Sequence, residues 1–383
     1  MNSINKHIII ISSIFFFILS CSSDLSSPIQ KPSALLVGDT VAFCAPSGFL
    51  DSIRMSLAKT RLEEKGFYII QEQSLFRRWG YLAGTDEQRA NELMTYFRDK
   101  SVKAIFPGTG GYGSTRILSM LDYNIIKDNP KIFIGFSDIT ALHVAFNQLG
   151  DLITFHTPNP MYGLGSEKGL DPISELYFWS LIMNSDDYNY EIPFDLYGDS
   201  LKVQTMVPGV ASGKLVGGNL SLLCSTMGSD YEIQTGGNIL FIEDVGEAPY
   251  RIDRYLRELK LAGKLDVVNG IIIGRFSRRQ SEISDKPSDF KMHQVFEQYF
   301  SEIENLADEE VNIYQSKSWF NFLKKNKKIY LKAIKTIDKN NNLLSVTPVI
   351  FLKKFLFKLV GSPISGTYSQ FCGPIFIREI SNQ

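Results

Sequence analysis

Apolar and polar residues alternate with two distinct periods along the chain after Gly38. Short apolar runs rich in β-branched and aromatic residues are typical of buried strands, and the stretches between them repeat with the period of an amphipathic helix. Thr85 and Gln88 have the spacing of a capping box, which marks one helix start. In the first half, the predicted strands are residues 40–44, 67–71, 102–106, 131–136 and 152–156, and the predicted helices are 52–65, 85–99, 114–121 and 138–149. Strands that alternate with helices predict a mostly parallel sheet covered on both faces.

The second half of the chain has a different pattern. Residues 166–195 are punctuated by Pro, Gly and Asp, which predicts a connection between two domains. Shorter strand candidates follow at residues 202–207, 213–216, 238–242 and 270–274, with a helix near 251–261. We therefore expect an α/β fold: an N-terminal α/β domain with a parallel sheet over 36–165 and a smaller β-rich C-terminal domain over 196–383, in which 300–358 is a divergent segment.

The N-terminus has the features of an export signal. Lys6 precedes an apolar run at 8–19, which is shorter than the roughly 20 residues a membrane-spanning helix needs. The run ends before Cys21 in a segment that resembles a bacterial lipobox, in which the cysteine is lipidated. The prediction is a lipoprotein signal peptide over 1–20, a tether over 21–35, and an exported protein held at the membrane by its lipid. An ordinary signal peptide with a chance cysteine is the alternative.

Composition and charge exclude several classes of protein. The chain of 383 residues is 44% hydrophobic and 21% charged, which is typical of a globular protein and not of a disordered or fibrous one. Its 40 Lys and Arg against 41 Asp and Glu give a net charge of −1, so nothing favours nucleic-acid binding. Four Cys and four His are too scattered to predict a metal site or a disulfide framework.

Candidate chemistry lies just after the predicted strands, because parallel sheets bind ligands at the carboxyl ends of their strands. Ser137 and Asp138 stand where a strand ends and a helix begins, so the hydroxyl could be exposed on a sharp turn. The G-x-S-x-G pattern is broken by Ile139, and a helix N-cap is the structural alternative. The glycine-rich loop 108–113 could supply oxyanion donors or form an anion site, or it could be a plain tight turn.

Two further candidates lie in the second half. Glu243 and Asp244 follow a strand, where a carboxylate could orient an imidazole, and surface ion pairs with Arg251 and Arg254 are the structural alternative. Residues 217–219 allow a ligand to approach the backbone closely, or form a turn.

Taken in order, these segments resemble the LD-carboxypeptidase family of serine peptidases, which includes the microcin-immunity peptidases. The resemblance covers residues 36–276. The matching blocks are Gly38 to Gly48, Tyr81 to Arg89, Gly110-Gly111-Tyr112-Gly113 with Arg116, Ile134 to Leu142 around Ser137, Thr154-Phe155-His156, Gly217-Gly218-Asn219-Leu220, and Ile242-Glu243-Asp244 through Arg254.

The resemblance implies an active site between the two domains. Ser137 would be the nucleophile, Glu243 the triad carboxylate, and the backbone N–H groups of Gly111 and Asp138 the oxyanion donors. The substrate-binding positions would be Gly110, Tyr112, His156 and Asn219. The substrate it implies is a murein tetrapeptide, from which the terminal D-Ala is released without a metal or organic cofactor. The resemblance also implies a homodimer as a partner arrangement.

One departure from the family concerns the base. The family places its triad histidine in a Gly-x-Pro-x-Gly-His turn near the C-terminus, where this chain has Gly366 instead. The histidines present are His7, His143, His156 and His293, and the resemblance assigns His156 to a separate block rather than to the triad. Three accounts stay open: a substitute such as His293, a muropeptide-binding lipoprotein without turnover, or a C-terminal part altered by a frameshift. An immunity-type peptidase acting on a peptide–nucleotide is a further alternative.

Overall fold

The computed structural model describes residues 29–183, 205–277 and 290–300, together with the backbone of two strands, Ile329–Ile337 and Leu343–Leu352. The predicted signal peptide, Cys21, His7 and Gly366 lie outside the described residues. Among the residues that are described, no helix is long and apolar enough to cross a bilayer.

The N-terminal region contains a parallel five-stranded sheet with the order β2-β1-β3-β4-β5. Its strands are β1 (Thr40–Cys44), β2 (Tyr68–Ile70), β3 (Val102–Pro107), β4 (Ile132–Gly135) and β5 (Phe155–His156). The helices of this region are α1 (Ser52–Glu64), α2 (Asp86–Arg98), α3 (Ser114–Ile117), α4 (Tyr123–Asp128), α5 (Thr140–Leu149) and α6 (Pro172–Met183). The predicted parallel sheet is confirmed.

Both faces of this sheet are covered, because side chains alternate along each strand. Phe43 points into an apolar cluster with residues of α1 and α6, whereas Cys44 points into a second cluster with residues of α2 and α5. The predicted capping box opens α2: the Gln88 N–H donates to Thr85 Oγ1 at 3.3 Å, and the Thr85 N–H donates to Gln88 Oε1 at 2.9 Å.

A smaller parallel sheet with the order β6-β7-β8 follows in the second half. Its strands are β6 (Leu215–Asn219), β7 (Ile239–Val245) and β8 (Gly270–Ser277), and its helices are α7 (Leu220–Ser225), α8 (Pro249–Leu261) and α9 (Met292–Phe300). Leu240 and Ile242 pack with residues of all three helices, and Val144 of α5 joins that cluster. The predicted α/β fold with a second, smaller sheet is therefore confirmed, whereas the domain boundaries stay a prediction.

Some predicted elements are wrong in detail. Residues 205–207 of the predicted strand 202–207 are irregular, and the predicted strand 152–156 shrinks to β5 because Leu152 forms only a single bridge with Gln30. The helices α4, α7 and α9 were not predicted. Two of them, α4 and α7, are short, and their caps Asp122 and Asn219 resemble turn residues in the sequence. The strand β7 runs past Ile242 to include Glu243 and Asp244, which are buried although their side chains are ionisable.

Candidate active site

Ser137 occupies a sharp turn at the carboxyl end of β4. It begins a 3₁₀ turn that leads into α5, and its φ of 61° is left-handed, which is costly for a residue with a side chain. It is also the one partly exposed residue between Lys131 and Phe146, a stretch that is otherwise buried. The Ser137 side chain caps neither the 3₁₀ turn nor α5, so the helix N-cap alternative is wrong. The backbone therefore presents this hydroxyl at the edge where parallel sheets bind ligands.

The glycine-rich loop after β3 packs directly against that turn. A Cβ on Gly110 would stand 3.1 Å from Ser137 Cβ and 3.2 Å from the Asp138 nitrogen, so a side chain at this position would press on the turn. Gly111 has a φ of 104°, which a residue with a side chain rarely adopts. Its N–H has no hydrogen-bond acceptor among the described residues, so it is free to bind an oxyanion.

Asp138 ties three loops together beneath Ser137. Its Oδ2 accepts hydrogen bonds from Ser47 Oγ at 2.6 Å and from the Ser114 N–H at 2.8 Å. The two hydroxyls of Ser47 and Ser114 are themselves 2.7 Å apart. These residues belong to the loops after β1, β3 and β4, and all three are buried. The network fixes the carboxyl edge of the sheet around Ser137.

Arg89 extends the same scaffold, although sequence reasoning assigned it no role. Its guanidinium is fully buried, donates to the carbonyls of Pro46 and Gly113, and pairs with Asp86. Arg116 pairs with the same Asp86 carboxylate at 2.7 Å. A buried arginine has to be paired, so these bonds fix the loops that it contacts. The sequence signal for this structural role was the position of Arg89 in the matching block that begins at Tyr81.

Glu243 and Asp244 are both buried at the end of β7, so the surface ion-pair alternative is wrong for them. Burial, together with the neighbouring Asp244 carboxylate, raises the pKa of Glu243 to about 8. Glu243 Oε1 is buried without a hydrogen-bond partner. Asp244, by contrast, accepts from the N–H groups of Ser221 at 2.8 Å and Val245 at 2.7 Å. Asp244 therefore fixes the local backbone by hydrogen bonds, whereas Glu243 has one carboxyl oxygen without a hydrogen-bond partner.

Asn219 links the two sheets. Its backbone N–H donates to Thr140 Oγ1 at 3.0 Å, and it pairs in register with Glu243. The buried side chain donates to Asp244 at 3.2 Å and caps α7 by accepting from the Leu222 N–H at 3.2 Å. Its amide is thus committed within the protein, although it was predicted to contact substrate. Tyr112 is another residue predicted to contact substrate, and its side chain is half-exposed.

The described histidines differ in what their nitrogens bind. His143 Nε2 donates to the Gly135 carbonyl at 2.9 Å and its Nδ1 accepts from Thr154 Oγ1 at 2.8 Å, while burial lowers its pKa to about 4. His156 is partly buried, its Nδ1 has no partner, and burial with nearby His143 lowers its pKa to about 3. His293 is exposed on α9.

The described residues contain two free thiols and several buried ionisable groups. No three His, Cys, Asp or Glu residues in this part of the chain are placed to hold a metal ion. Cys44 and Cys224 are free and buried, and burial raises the pKa of each thiol, which makes them poor nucleophiles.

Comparison with known proteins places these features in context. The LD-carboxypeptidase N-terminal domain matches residues 41–157, and the LD-carboxypeptidase C-terminal domain matches residues 212–313. A probable murein peptide carboxypeptidase of Bacillus subtilis is 40% identical over 277 residues, which cover 70% of this chain and 81% of that protein.

Two solved structures have a similar fold. The microcin C7 self-immunity protein MccF in complex with aspartyl sulfamoyl adenosine superposes with a TM-score of 0.61 at 26% identity, over 70% of this chain and 86% of that one. A muramoyltetrapeptide carboxypeptidase from Oxalobacter formigenes superposes with a TM-score of 0.58 at 25% identity, over 68% and 84%.

Proposed function

The chain belongs to the LD-carboxypeptidase family, and on that premise we propose that it is a serine-type carboxypeptidase that releases the terminal D-Ala from murein tetrapeptides. The observation that carries the proposal is the Ser137 turn: a left-handed, partly exposed serine at the end of β4, with Gly110 packed against it. Such a serine is presented for nucleophilic attack in acyl transfer.

The reaction proceeds by acyl transfer in two steps. Ser137 Oγ attacks the carbonyl carbon of the bond between diaminopimelate and D-Ala, and the backbone N–H groups of Gly111 and Asp138 stabilise the oxyanion. Collapse of the tetrahedral intermediate expels the amine of D-Ala and leaves the peptide esterified to Ser137. Water then hydrolyses the ester. The buried Asp138–Ser47 hydrogen bond of 2.6 Å supports this by fixing the donors before the substrate arrives.

The substrate class distinguishes this proposal from its nearest alternative. The same acyl chemistry would serve an immunity-type peptidase on a peptide–nucleotide, and the structural similarity to MccF bound to aspartyl sulfamoyl adenosine favours that second candidate. We expect full-length protein incubated with each compound to release D-Ala from murein tetrapeptide faster than it releases aspartate from the sulfamoyl adenosine. Hydrolysis of the nucleotide alone would reverse the assignment. Binding of tetrapeptide without release of D-Ala would favour a muropeptide-binding lipoprotein.

Export to the cell wall is part of the proposal. The apolar run 8–19 before Cys21 supports a lipid anchor, which would place the peptidase on the outer side of a membrane, where wall peptides are released.

A further inference from the structure

A serine hydroxyl needs a base, and the turn in which the resemblance places the triad histidine has Gly366 at that position in this chain. We propose that His156 is the general base that takes the proton of Ser137, with the Glu243 carboxyl group as the partner of its second nitrogen. The inference rests on the proposed function only in taking Ser137 as the nucleophile. It changes the role that the resemblance implies for His156, from substrate contact to catalysis.

His156 is placed beside the Ser137 turn by the first sheet. It ends β5 in parallel register with Gly135, two residues before Ser137. The preceding Phe155 packs with residues of α1 and α6, so alternation along the strand turns His156 to the opposite face. There its ring centroid lies 6.5 Å from that of Phe136, the residue next to Ser137.

Glu243 approaches the same imidazole from the second sheet. Phe241 and Glu243 share one face of β7, because they are two residues apart on a strand. The Phe241 ring lies 5.1 Å from the His156 ring, centroid to centroid. His156 therefore stands between the serine turn of one sheet and the carboxylate strand of the other.

The unused polar atoms of these two residues are complementary. His156 Nδ1 and Glu243 Oε1 are both buried, and each lacks a hydrogen-bond partner. Buried polar atoms are rarely left unpaired without a functional reason. The low pKa of His156 keeps the imidazole neutral, as a base must be. With its single proton on Nδ1, the ring can donate to Glu243 Oε1 and keep Nε2 free to take the proton of Ser137.

His156 carries one proton between Ser137, the leaving amine and the attacking water. As Ser137 Oγ bonds to the carbonyl carbon, its proton moves to His156 Nε2, and the imidazolium is stabilised through Nδ1 by Glu243. That proton passes to the nitrogen of D-Ala as the peptide bond breaks. In deacylation, water gives a proton to Nε2 and its hydroxide to the acyl carbon, and the proton returns to Ser137 Oγ as the ester breaks.

The other described histidines do not meet these requirements. Both nitrogens of His143 are engaged, one by Gly135 and the other by Thr154. His293 is exposed on α9, which packs on the Leu240 side of the second sheet, opposite the face that carries Glu243. His293 therefore serves as a matched control.

The test is the rate at which a fluorophosphonate probe labels Ser137, because labelling needs an activated serine but not the natural substrate. We expect His156→Gln to label at least about 100-fold more slowly than wild type and His293→Gln to label within about twofold of it. Added imidazole should restore labelling to His156→Ala, which loss of packing alone would not permit.

Wild-type labelling rates in His156→Gln would overturn the inference, as would a folded His156→Ala that imidazole does not rescue. A wild-type protein that the probe does not label would defeat both the nucleophile and the base. Labelling without release of D-Ala would leave the base standing and reject only the proposed substrate.

Discussion

The backbone N–H of Asn219 donates a hydrogen bond to Thr140 Oγ1 across 3.0 Å, and this bond joins the helix that follows Ser137 to the strand that pairs with Glu243. The two halves of the candidate site come from different sheets, so their separation depends on contacts of this kind. The bond is buried, and losing it would leave the Asn219 N–H without an acceptor.

Thr140→Val tests this link, because valine keeps the shape of threonine and lacks the hydroxyl. We expect the free energy of unfolding to fall by about 1–3 kcal/mol. D-Ala release should also slow, because the bond holds the helix after Ser137 against the strand that pairs with Glu243. Chemical denaturation and a D-Ala assay measure the two effects. Thr60→Val, at an exposed position on α1, is the matched control, and equal behaviour of the two variants would refute the link.

Gly110→Ala tests the packing of the glycine loop on the serine turn. The new Cβ would stand 3.1 Å from Ser137 Cβ, so the turn has to move by a few tenths of an ångström. We expect the rate of D-Ala release to drop by about 100-fold while stability changes by about 1–2 kcal/mol. Gly209→Ala introduces a Cβ that meets nothing within 4 Å and should leave the rate unchanged. Full activity in Gly110→Ala would show that the loop does not position Ser137.

Glu243→Gln tests how the buried carboxyl group changes the free energy of unfolding with pH. Burial raises the pKa of Glu243 from 4.5 to about 8, so its contribution to stability is fully present below pH 4.5 and is lost as the pH rises through 8. The glutamine variant should therefore be more stable than wild type by about 5 kcal/mol at pH 8.5, with the difference vanishing near pH 4.5. Urea unfolding at the two pH values measures it, and a pH-independent difference would contradict the assignment of the titrating group.

Cys21→Ala tests the lipid anchor. Wild-type protein expressed in bacteria should incorporate labelled fatty acid and sediment with membranes, whereas the variant should do neither. Equal membrane association of both proteins would exclude lipidation at Cys21.

Local patterns predicted much of the first sheet, because its strands and the Thr85 capping box depend on neighbours in sequence. The hydrogen bonds of Arg89 to Pro46 and Gly113, and the bond between Thr140 and Asn219, could not be predicted from local patterns, since they join residues 24 or more positions apart. Glu243 was placed after its strand because a charged residue rarely lies inside a buried one. The Ser137 turn could be located by its strand–helix junction, but its left-handed backbone depends on packing around Gly135 and Gly110.

The central claim is that Ser137 is the nucleophile of a D-Ala carboxypeptidase. The most direct test incubates wild type, Ser137→Ala and Ser101→Ala with murein tetrapeptide and quantifies D-Ala by mass spectrometry. Ser101 is exposed at the amino end of β3, on the edge of the sheet opposite Ser137. The prediction is equal release by wild type and Ser101→Ala, with a loss of about 10⁴-fold or more in Ser137→Ala. Equal release by wild type and Ser137→Ala would contradict it.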